Sequence, residues 1–482
     1  MTLHPNPLDT DDRATTRETI VAISTAPGRG GIGIVRLSGP EALRVAERLV
    51  TLEGPWDHAR ARVVRVLDID IEGGTKTGGR AGTIDDAVVT AFLGPRSYTG
   101  ETVVEIAAHG SPVVLEAMVR GALAEGAKMG AEVRLARPGE FTQRAFLAGR
   151  IDLTQAEAVG DLIAAQTLDQ ARVAAQQMGG AIARRVAPAK GGLLHLIALL
   201  EAGMDFASGE LDDVDIVAPA QIAREIAGVE GPLTELAGSF RRGQLLREGA
   251  AIALIGPPNA GKSSLFNRLL ERERAIVTPM PGTTRDTVEE SVALGGIPLR
   301  LIDTAGLRPD ESVDAAEMQG IARTHEALAD ADLVLLIHDA TLAMSAEELE
   351  MKAALAGRPH LVIYNKVDLV VGDDAAASGA GIRTSALTGE GLDALRGAIL
   401  GQLGAAGSLA EGGALNNFRQ REAVGSTLAA LGEAAGANAA GLPHEVILMD
   451  LHRALQALDS LTGVTTPDDI LARIFSTFCI GK

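Results

Sequence analysis

The chain has 482 residues, of which 46% are hydrophobic and 22% are charged, and its formal net charge is −19. This length predicts about three domains, and no apolar run approaches the roughly 18 residues that would suggest a membrane span. The acidic balance excludes a strong overall field that attracts nucleic acid, so contact with RNA would need a local basic patch. The single cysteine, Cys479, excludes an internal disulfide framework and a thiolate metal cage, which favours a reducing cytoplasm.

The sequence pattern changes several times along the chain. Residues 1–17 are predicted to be a disordered lead without the apolar segment of a signal peptide. Residues 18–140 mix the β-rich runs TIVAIST, GIGIVRLSG, DDAVVTAFLG and TVVEIAAHG with turn signals, which predicts an α+β domain. Residues 141–247 are Ala-rich with helical spacing, 248–405 are strand-rich α/β, and 406–482 return to the helical pattern. An α/β domain inserted into a helical domain is therefore predicted.

Two motifs in the first half of the chain are weak. The stretch TQAE, which begins at Thr154, has the spacing of a capping box at the start of a helix. Gly28, Gly30 and Gly33 in GRGGIG have the spacing of a dinucleotide-binding turn. Such a turn must open a helix, however, and the β-branched run GIVRLSG follows instead. We therefore interpret this segment as a Gly-rich turn between strands.

The strongest motif is GPPNAGKSS, which matches G-x-x-x-x-G-K-[ST] from Gly256 to Ser263 directly after the apolar run AAIALI. In such a loop, backbone N–H groups surround the phosphates, Lys262 reaches the β and γ oxygens, and the Ser263 hydroxyl binds Mg²⁺. The predicted nucleotide contacts of this loop are Asn259, Ala260, Gly261, Lys262, Ser263 and Ser264.

Three later elements follow in the order that a GTP-binding domain requires. The run RLIDTAG places Asp303 at the end of a strand, where it is suited to holding Mg²⁺ through water. The run LVIYNKVD ends in Asp368, whose carboxylate accepts both N–H donors of the guanine pairing edge, which adenine does not offer. Lys366 has an aliphatic stem that suits the face of the base. The other predicted GTP contacts are Thr304, Ala305, Gly306, Asn365, Ser385 and Ala386.

GTP hydrolysis in this chain needs a replacement for the glutamine that often orients the attacking water in small GTPases. Leu307 stands where small GTPases often place the Gln that orients the attacking water. Asn259 and the segment IVTPMPGTTRD offer oxygen ligands near the phosphates, so a bound monovalent cation is a candidate for the role of an arginine finger. Thr284, with Thr283 beside it, is the expected ligand of Mg²⁺ and the γ-phosphate. The acidic candidates for steering the water are Asp310, Glu311, Asp314 and Glu317, and the residues alone do not choose among them.

These motifs, together with the terminal IFSTFCIGK and the N-terminal YTGETVVEIAAHGSPVV and RPGEFTQRAFLAGRIDLTQAEAV, resemble one family over residues 18–482. The chain looks like a member of the bacterial tRNA modification GTPase family MnmE, also called TrmE. The resemblance implies a multidomain α/β and α+β fold. Its parts are an N-terminal α+β domain for folate binding and dimerisation, a discontinuous all-α domain, and an inserted Ras-like P-loop GTPase domain. The sheet of the GTPase domain is expected to be mixed and mostly parallel, with helices on both faces.

The resemblance also implies a function. Family members are potassium-dependent GTP hydrolases that work with a flavoprotein partner, MnmG or GidA. Together they add an aminomethyl or carboxymethylaminomethyl group to carbon 5 of the wobble uridine of certain tRNAs. A tetrahydrofolate derivative, in the 5-formyl or 5,10-methylene form, supplies the one-carbon unit, and FAD and NADH act only through the partner. The implied assembly is a cytoplasmic homodimer that joins the partner in a heterotetramer or larger complex, without a membrane.

Site residues carry over from the family motifs by position. The family's water-positioning glutamate corresponds to Glu317, which would act with Lys262 and Asn259 in catalysis. Arg150 stands where many relatives carry Lys, so a rigid fork replaces a point charge. The implied ligands are Asn259, Thr278, the Met280 backbone and Thr283 for potassium, Ser263 and Thr284 for magnesium, and Arg36, Glu105, Arg150 and Lys482 for folate; Thr278 and Thr283 would also contact GTP.

Alternatives to this function and to the role of the tail stay open. A GTP-operated switch or ribosome-assembly factor, without a part in modification chemistry, is the alternative from another class. The folate-like N-terminal domain and the lack of an appended RNA-binding module such as a KH domain favour the first function. The terminal CIGK does not fit a prenylation box. We expect the tail to dock on the N-terminal domain, with Lys482 in a binding role and Cys479 packed as a small residue rather than acting as a nucleophile.

Overall fold

The computed structural model describes residues 18–68, 82–207, 217–270, 291–303, 331–370, 381–404, 413–465 and 468–481. Their backbone divides into two compact units, one within Met1–Glu157 and Thr465–Lys482 and the other within Ala158–Val464. None of the helices in the described ranges has the length and hydrophobicity that a membrane span needs.

The helices and strands alternate in blocks along the chain. The first block contains β1 (Thr19–Ile23), β2 (Gly30–Ser38), α1 (Ala42–Leu49), β3 (Ala61–Leu67), β4 (Thr83–Phe92), β5 (Val103–Gly110), α2 (Pro112–Lys128), β6 (Val133–Leu135) and α3 (Glu140–Leu147). The second contains α4 (Leu153–Ala164), α5 (Leu168–Met178), α6 (Ala181–Ala207), α7 (Pro219–Gly238) and α8 (Phe240–Glu248). The third contains β7 (Ala250–Ile255), α9 (Lys262–Leu270), β8 (Ser291–Leu294), β9 (Ile297–Asp303), β10 (Leu333–Asp339), α10 (Ala346–Ala354), β11 (His360–Asn365), a 3₁₀ helix (Val367–Leu369), β12 (Ile382–Arg383) and α11 (Leu392–Gln402). The last contains α12 (Phe418–Ala439), α13 (His444–Thr462) and α14 (Asp468–Ser476).

The first unit is built on a sheet with the strand order β3-β4-β5-β2-β1-β6. The four β-rich runs predicted from the sequence form β1, β2, β4 and β5, which confirms the α+β character of this part. Helices α1 and α2 cover one face of the sheet, where alternate strand residues such as Val35 and Ile106 are fully buried with Met118 of α2. The other face is the one that carries Arg36 and Glu105, because successive side chains point to opposite faces.

The Gly-rich turn between strands is confirmed. Strand β2 begins at Gly30 and pairs antiparallel with β5, with a register shift between Gly30 and Gly33. A Cβ atom on Gly110 would lie 2.6 Å from the Gly30 carbonyl oxygen, so the two strands approach each other closely at this point. A strand thus follows GRGGIG, and the dinucleotide-binding turn is excluded because no helix N-terminus stands there to receive a pyrophosphate.

The predicted capping box at Thr154 is wrong. Helix α4 begins at Leu153, and the side chain of Asp152 caps it by accepting hydrogen bonds from the Thr154 hydroxyl at 2.6 Å and the Gln155 backbone N–H at 2.9 Å. The Gln155 side chain in turn accepts from the Asp152 backbone N–H at 2.9 Å. The reciprocal motif therefore lies two residues earlier, because Asp with a Gln three positions later makes the same exchange.

The second unit contains the helical core, which is made by chain from both sides of the α/β block. Leu196 and Leu233 of the earlier helices share one buried cluster with Leu431 and Leu451 of the later ones. Burial of apolar surface by α6, α7, α12 and α13 thus joins segments that are far apart in sequence. This packing confirms the discontinuous helical domain.

The inserted block forms a sheet with the strand order β12-β11-β10-β7-β9-β8. The pairs from β12 to β9 are parallel and β8 is antiparallel, so the predicted mixed, mostly parallel sheet is confirmed. Strand β7 is buried along its whole length, with separate apolar clusters on the two faces of the sheet. The carboxyl ends of β7, β10, β11 and β12 lie along one edge, which is where a parallel α/β sheet binds its ligand.

Helix α14 packs within the first unit. Its Leu471 and Phe475 share a buried cluster with Leu153, and the Phe475 ring lies 6.4 Å from the ring of Phe146. These contacts anchor the C-terminal helix and set the direction in which the last residues leave it.

Candidate functional site

The loop between β7 and α9 has the backbone that a phosphate-binding loop needs. Three of its residues have positive φ angles: Gly256 at 143°, Asn259 at 66° and Gly261 at 88°. A Cβ atom on Gly256 would collide with the Ile337 carbonyl oxygen, and one on Gly261 would collide with the side-chain amide of Asn365. Glycine is therefore required at both positions by conformation and by space.

Lys262 is folded back across this loop. Its side chain is buried, and the ammonium donates hydrogen bonds to the Gly256 and Pro257 carbonyl oxygens at 2.8 and 2.9 Å. Oxygen dipoles thus hold a buried cation at the centre of the loop. The side chains of Asn259 and Ser263 are exposed beside it, with Ser263 in the first turn of α9.

Asn365 joins the phosphate loop to the segments predicted to bind the base. It ends β11, is 1% exposed, and its Nδ2 donates to the Ala260 carbonyl at 3.0 Å. Its Oδ1 accepts from the Ala386 backbone N–H at 3.1 Å. Three predicted GTP residues are therefore brought together, and the Asn365 amide serves to fix the two loops against each other. The neighbouring Ser385 is buried and accepts from the Thr388 backbone N–H at 3.1 Å.

Lys366 and Asp368 follow at the same edge of the sheet. Lys366 has a φ of 66°, and its ammonium lies 2.6 Å from Oδ2 of Asp339. Asp368 is exposed in the 3₁₀ helix, with its carboxylate open to a ligand. Burial by itself raises the pKa of Asp339, but hydrogen bonds from Lys366 and Thr341 outweigh burial and lower it.

Sequence reasoning missed Asp339. A signal was present, because Asp339 ends the apolar run LVLLIHD just as Asn365 ends LVIYN. In the parallel pair of β10 and β11 these two residues lie directly opposite each other. A polar residue at the end of a buried strand is thus worth testing even when it matches no nucleotide motif.

Part of the predicted site lies outside the described residues. Asp303 ends β9, and only its backbone is described. The roles of Asp303 and of the residues named next therefore stay predictions. The predicted residues outside the described ranges are Thr278, Met280, Thr283, Thr284, Thr304, Ala305, Gly306, Leu307, Asp310, Glu311, Asp314, Glu317 and Lys482.

A second polar site lies in the first unit, at the predicted folate residues. Arg36 of β2 and Glu105 of β5 stand directly opposite each other and form an ion pair, with Nε and Nη2 of Arg36 at 2.8 and 2.7 Å from Oε1 of Glu105. The guanidinium also lies 5.5 Å from the centre of the Phe141 ring. Both charged side chains are partly exposed, at 18% and 26%. Arg150 is exposed after α3, and its Cγ lies 3.7 Å from the position of a Cβ on Gly100.

The C-terminal tail reaches the same place. Nη1 of Arg36 donates to the Gly481 carbonyl oxygen at 3.2 Å, across 445 positions of sequence. Ile480 forms an antiparallel bridge with Pro138, and Gly481 has a φ of 94° at a point where a Cβ would collide with the Ile23 carbonyl oxygen. The backbone of the tail is therefore docked against β1 and the entry to α3.

The expected packing of Cys479 is wrong. The Cys479 side chain is exposed, and its carbonyl oxygen is the group that faces the protein, 3.4 Å from the Gly139 backbone N–H. The tail docks through main-chain groups, so the Cys479 side chain stays on the outer side, as does that of Ile480, which is 59% exposed.

Next to the Arg36 platform, which consists of Arg36, Glu105 and the Phe141 ring, lies a buried ionic cluster that sequence reasoning did not identify. Glu140, the first residue of α3, accepts hydrogen bonds from Arg134 at 2.6 and 2.8 Å, from Arg144 at 3.0 Å and from one backbone N–H at 2.8 Å. Burial by itself raises the pKa of Glu140, but these donors outweigh it and lower the pKa to about 2. The cluster fixes the start of α3 and so the position of Phe141 under Arg36.

Comparison with known proteins gives a consistent result. The family profile described as "MnmE helical domain" matches residues 153–479, and the profile described as "GTP-binding protein TrmE N-terminus" matches residues 19–150. A protein of Koribacter versatilis named "tRNA modification GTPase MnmE" is 51% identical over 471 residues, which cover 96% of this chain and 99% of the relative. A protein of the same name from Symbiobacterium thermophilum is 42% identical over 474 residues, again covering 96% and 99%.

Similarity to solved structures is weaker. The G domain of the T. maritima FeoB iron transporter is 28% identical, covering 32% of this chain and 98% of that chain, but its TM-score of 0.23 is too low to bear on the fold. The similarity to the curated relatives, in contrast, extends over almost the whole length of both chains. The chain therefore belongs to the MnmE family of tRNA modification GTPases.

Proposed function

We propose that this chain is a potassium-activated GTPase that modifies carbon 5 of the wobble uridine of certain tRNAs together with a flavoprotein similar to MnmG or GidA. The added group is aminomethyl or carboxymethylaminomethyl, and a tetrahydrofolate derivative supplies its one-carbon unit. The GTPase half rests on one observation: Asn365 donates a hydrogen bond to the Ala260 carbonyl oxygen and accepts one from the Ala386 backbone N–H. The names of the full-length relatives support the tRNA half.

Nucleotide binding in this proposal uses a lysine that is already in place. The phosphates take over the Lys262 ammonium from the carbonyl oxygens of Gly256 and Pro257, which hold it in the described structure. This exchange replaces two dipole contacts with contacts to full negative charges, so it favours binding. The Asp368 carboxylate, exposed at the other end of the site, accepts the two N–H donors of guanine.

Two metal ions fit the donors of the phosphate loop. The exposed Ser263 hydroxyl suits Mg²⁺, with Thr284 as its proposed second ligand, and the exposed Asn259 amide oxygen suits a potassium ion. When bound, these ions supply positive charge beside the phosphates, the task that an arginine finger performs in other GTPases. Glu317 is proposed to position the attacking water, since Leu307 has no group that orients it.

The Arg36–Glu105 pair supports the folate half of the proposal. A pterin carries an amino group next to a ring N–H, and a partly exposed carboxylate such as Glu105 accepts from both. Arg36 orients that carboxylate and also contacts the Gly481 carbonyl oxygen of the docked tail. Lys482 follows Gly481 in the sequence and is the proposed folate ligand of the tail. Arg150 is proposed to bind a negative charge of the folate from the exposed segment after α3.

Exposed apolar side chains on one face of the first sheet, as far as the described residues show it, support a homodimer. Val63 and Val88 stand directly opposite each other on β3 and β4 and are 82% and 40% exposed. Adjacent exposed apolar side chains on a sheet typically mark a protein interface. We therefore propose that a second copy of the chain covers this face.

The decisive experiment is to delete the gene in its own host and to measure wobble-uridine modifications in purified tRNA by mass spectrometry. The proposal expects the modified nucleosides to be lost and to return with the wild-type gene, but not with a Lys262→Met variant. Lys128→Met, which changes an exposed lysine on α2, is the matched control and is expected to restore them. A full complement of modified uridines in the deletion strain would contradict the proposal and favour a GTP-operated switch or assembly factor.

A further inference from the structure

A buried pair of polar side chains lies at the end of β10, outside the predicted nucleotide contacts. His338 and Glu348 are 3% and 4% exposed, and Nδ1 of His338 lies 2.7 Å from Oε1 of Glu348. Nε2 of the same ring lies 3.0 Å from the Leu342 carbonyl oxygen. Both ring nitrogens therefore face an oxygen atom of the segment that follows β10.

This pair fixes the turn that leads from β10 to α10. Glu348 belongs to α10 and also accepts from the Ser345 backbone N–H at 2.8 Å, in a capping box at the start of that helix. The edge of His338 packs against the Tyr364 ring at a centroid distance of 5.6 Å. The turn is thus held from α10 on one side and from β11 on the other.

Asp339, the residue after His338, points to the guanine end of the site. Its Oδ1 accepts from the Thr341 backbone N–H at 3.0 Å and from the Thr341 hydroxyl at 2.7 Å. Its Oδ2 accepts from the Lys366 ammonium at 2.6 Å. The backbone supports the same contact, since the Ala340 N–H donates to the Asn365 carbonyl at 2.8 Å. Both oxygens of a largely buried carboxylate are therefore committed to holding one turn and one lysine.

We propose that Asp339 is a positioning residue for guanine binding, which holds Lys366 ready for the base, and that the His338–Glu348 pair keeps Asp339 in place. A free lysine loses much rotamer freedom when it is ordered against a base. In this chain the Lys366 ammonium is already held by Asp339. The side chain has therefore lost this freedom before the nucleotide binds, which strengthens binding. The inference rests on the proposed GTP binding. It adds the Asp339 carboxylate as the group that orients Lys366 before the nucleotide binds.

The test uses the full-length chain with Mg²⁺ and potassium, and fluorescent GDP and IDP as probes. Asp339→Asn keeps the shape of the side chain but removes its charge, and we expect both Kd values to rise by about tenfold. The ratio of the two Kd values should stay unchanged, because the Lys366 stem contacts the face of the base and not its pairing edge. Asp368→Asn, in contrast, should change that ratio, because IDP lacks the amino group that Asp368 recognises.

The kinetic signature separates positioning from a general structural role. For GTP hydrolysis the effect of Asp339→Asn should fall on KM rather than on kcat, since the base lies away from the reacting phosphate. Asp393→Asn, which removes an exposed partner of Arg396 in the same α/β block, is the matched control and should change neither value. Thr341→Val removes one hydrogen bond to Asp339 without changing its charge and should raise both Kd values by about twofold to threefold.

Each outcome has a definite meaning. Equal affinities of Asp339→Asn and wild type for GDP would overturn the inference while leaving GTP binding intact. A lower kcat with an unchanged KM would overturn it as well, because that pattern belongs to the reacting phosphate. If the wild type itself bound neither GDP nor IDP, the proposed function would fail before this inference was reached. Thermal unfolding without nucleotide checks that the variants are folded. If Asp339→Asn does not fold, the Kd values of Thr341→Val for GDP and IDP test the inference instead.

Discussion

The nucleotide loops and the Arg36 platform hold their charged groups in different ways. In the nucleotide loops, the buried Lys262 is held by main-chain carbonyls from within one short motif. At the platform, Arg36 is held by a carboxylate on a neighbouring strand and by a carbonyl 445 positions away. The first arrangement depends on backbone conformation, and the second depends on side-chain ion pairs and on tertiary docking. The first is therefore easy to recognise in a sequence, whereas the second is not, because its groups come from distant parts of the chain.

Removing the lysine tests the first half of this comparison most strongly. Lys262→Ala should lower kcat for GTP hydrolysis by about 10²–10³-fold, because one preorganised charge beside the phosphates is lost. Phosphate release at saturating GTP measures the effect. Lys128→Ala changes an exposed lysine at the end of α2 and is the control. Its kcat should stay within about a factor of two of the wild-type value. A loss of less than tenfold for Lys262→Ala would contradict the role of this lysine.

Removing a buried carboxylate tests the second half. Glu140→Gln leaves Arg134 and Arg144 without their shared partner, and we expect the free energy of unfolding to fall by about 3 kcal/mol. Urea unfolding followed by circular dichroism measures it. Arg60→Met breaks an ion pair whose arginine is 69% exposed, and should lower the free energy of unfolding far less, because solvent screens such a pair. Equal costs for the two variants would show that the buried cluster is no more important than a surface pair.

The pH dependence of stability follows from the same carboxylate. The folded pKa of Glu140 is about 2 and its ordinary value is 4.5, so the folded state prefers the charged form. The stabilisation is present above pH 4.5 and is lost as the pH falls from there towards 2, by at most about 3 kcal/mol. Unfolding curves between those pH values should show a slope that Glu140→Gln reduces. An unchanged slope in the variant would mean that other groups account for it.

The cation prediction has the smallest expected effect and sharpens the comparison within the nucleotide loops. Replacing potassium by sodium should lower the rate of GTP hydrolysis by about tenfold, because the proposed cation site at Asn259 is expected to favour the larger ion. Asn259→Ala should lower the rate in potassium to that in sodium. The rates are measured at matched ionic strength, so that screening stays constant. Equal rates of the wild type in the two salts would contradict the cation hypothesis.

The class of fold, the phosphate loop and the identity of the base can all be inferred from the order of the amino acids. These features depend on short-range rules: positive φ angles require Gly256 and Gly261, and buried parallel strands read as apolar runs that end in polar residues. A contiguous motif fixes its own geometry, so its chemistry is visible in the order of the residues. The four β-rich runs of the N-terminal part were visible for the same reason.

Which distant groups meet depends on how the chain packs in three dimensions. The contact of Gly481 with Arg36, the ionic cluster around Glu140 and the tether of Lys366 by Asp339 join separate elements. No local pattern encodes these contacts, because a charged residue on a strand or helix is ordinarily a solvated surface group. The cap at Asp152 and the exposed Cys479 were misjudged for a related reason, since the exact start of a helix and the side on which a docked tail turns depend on packing. Burial and pairing, which the linear sequence does not display, give these groups their roles.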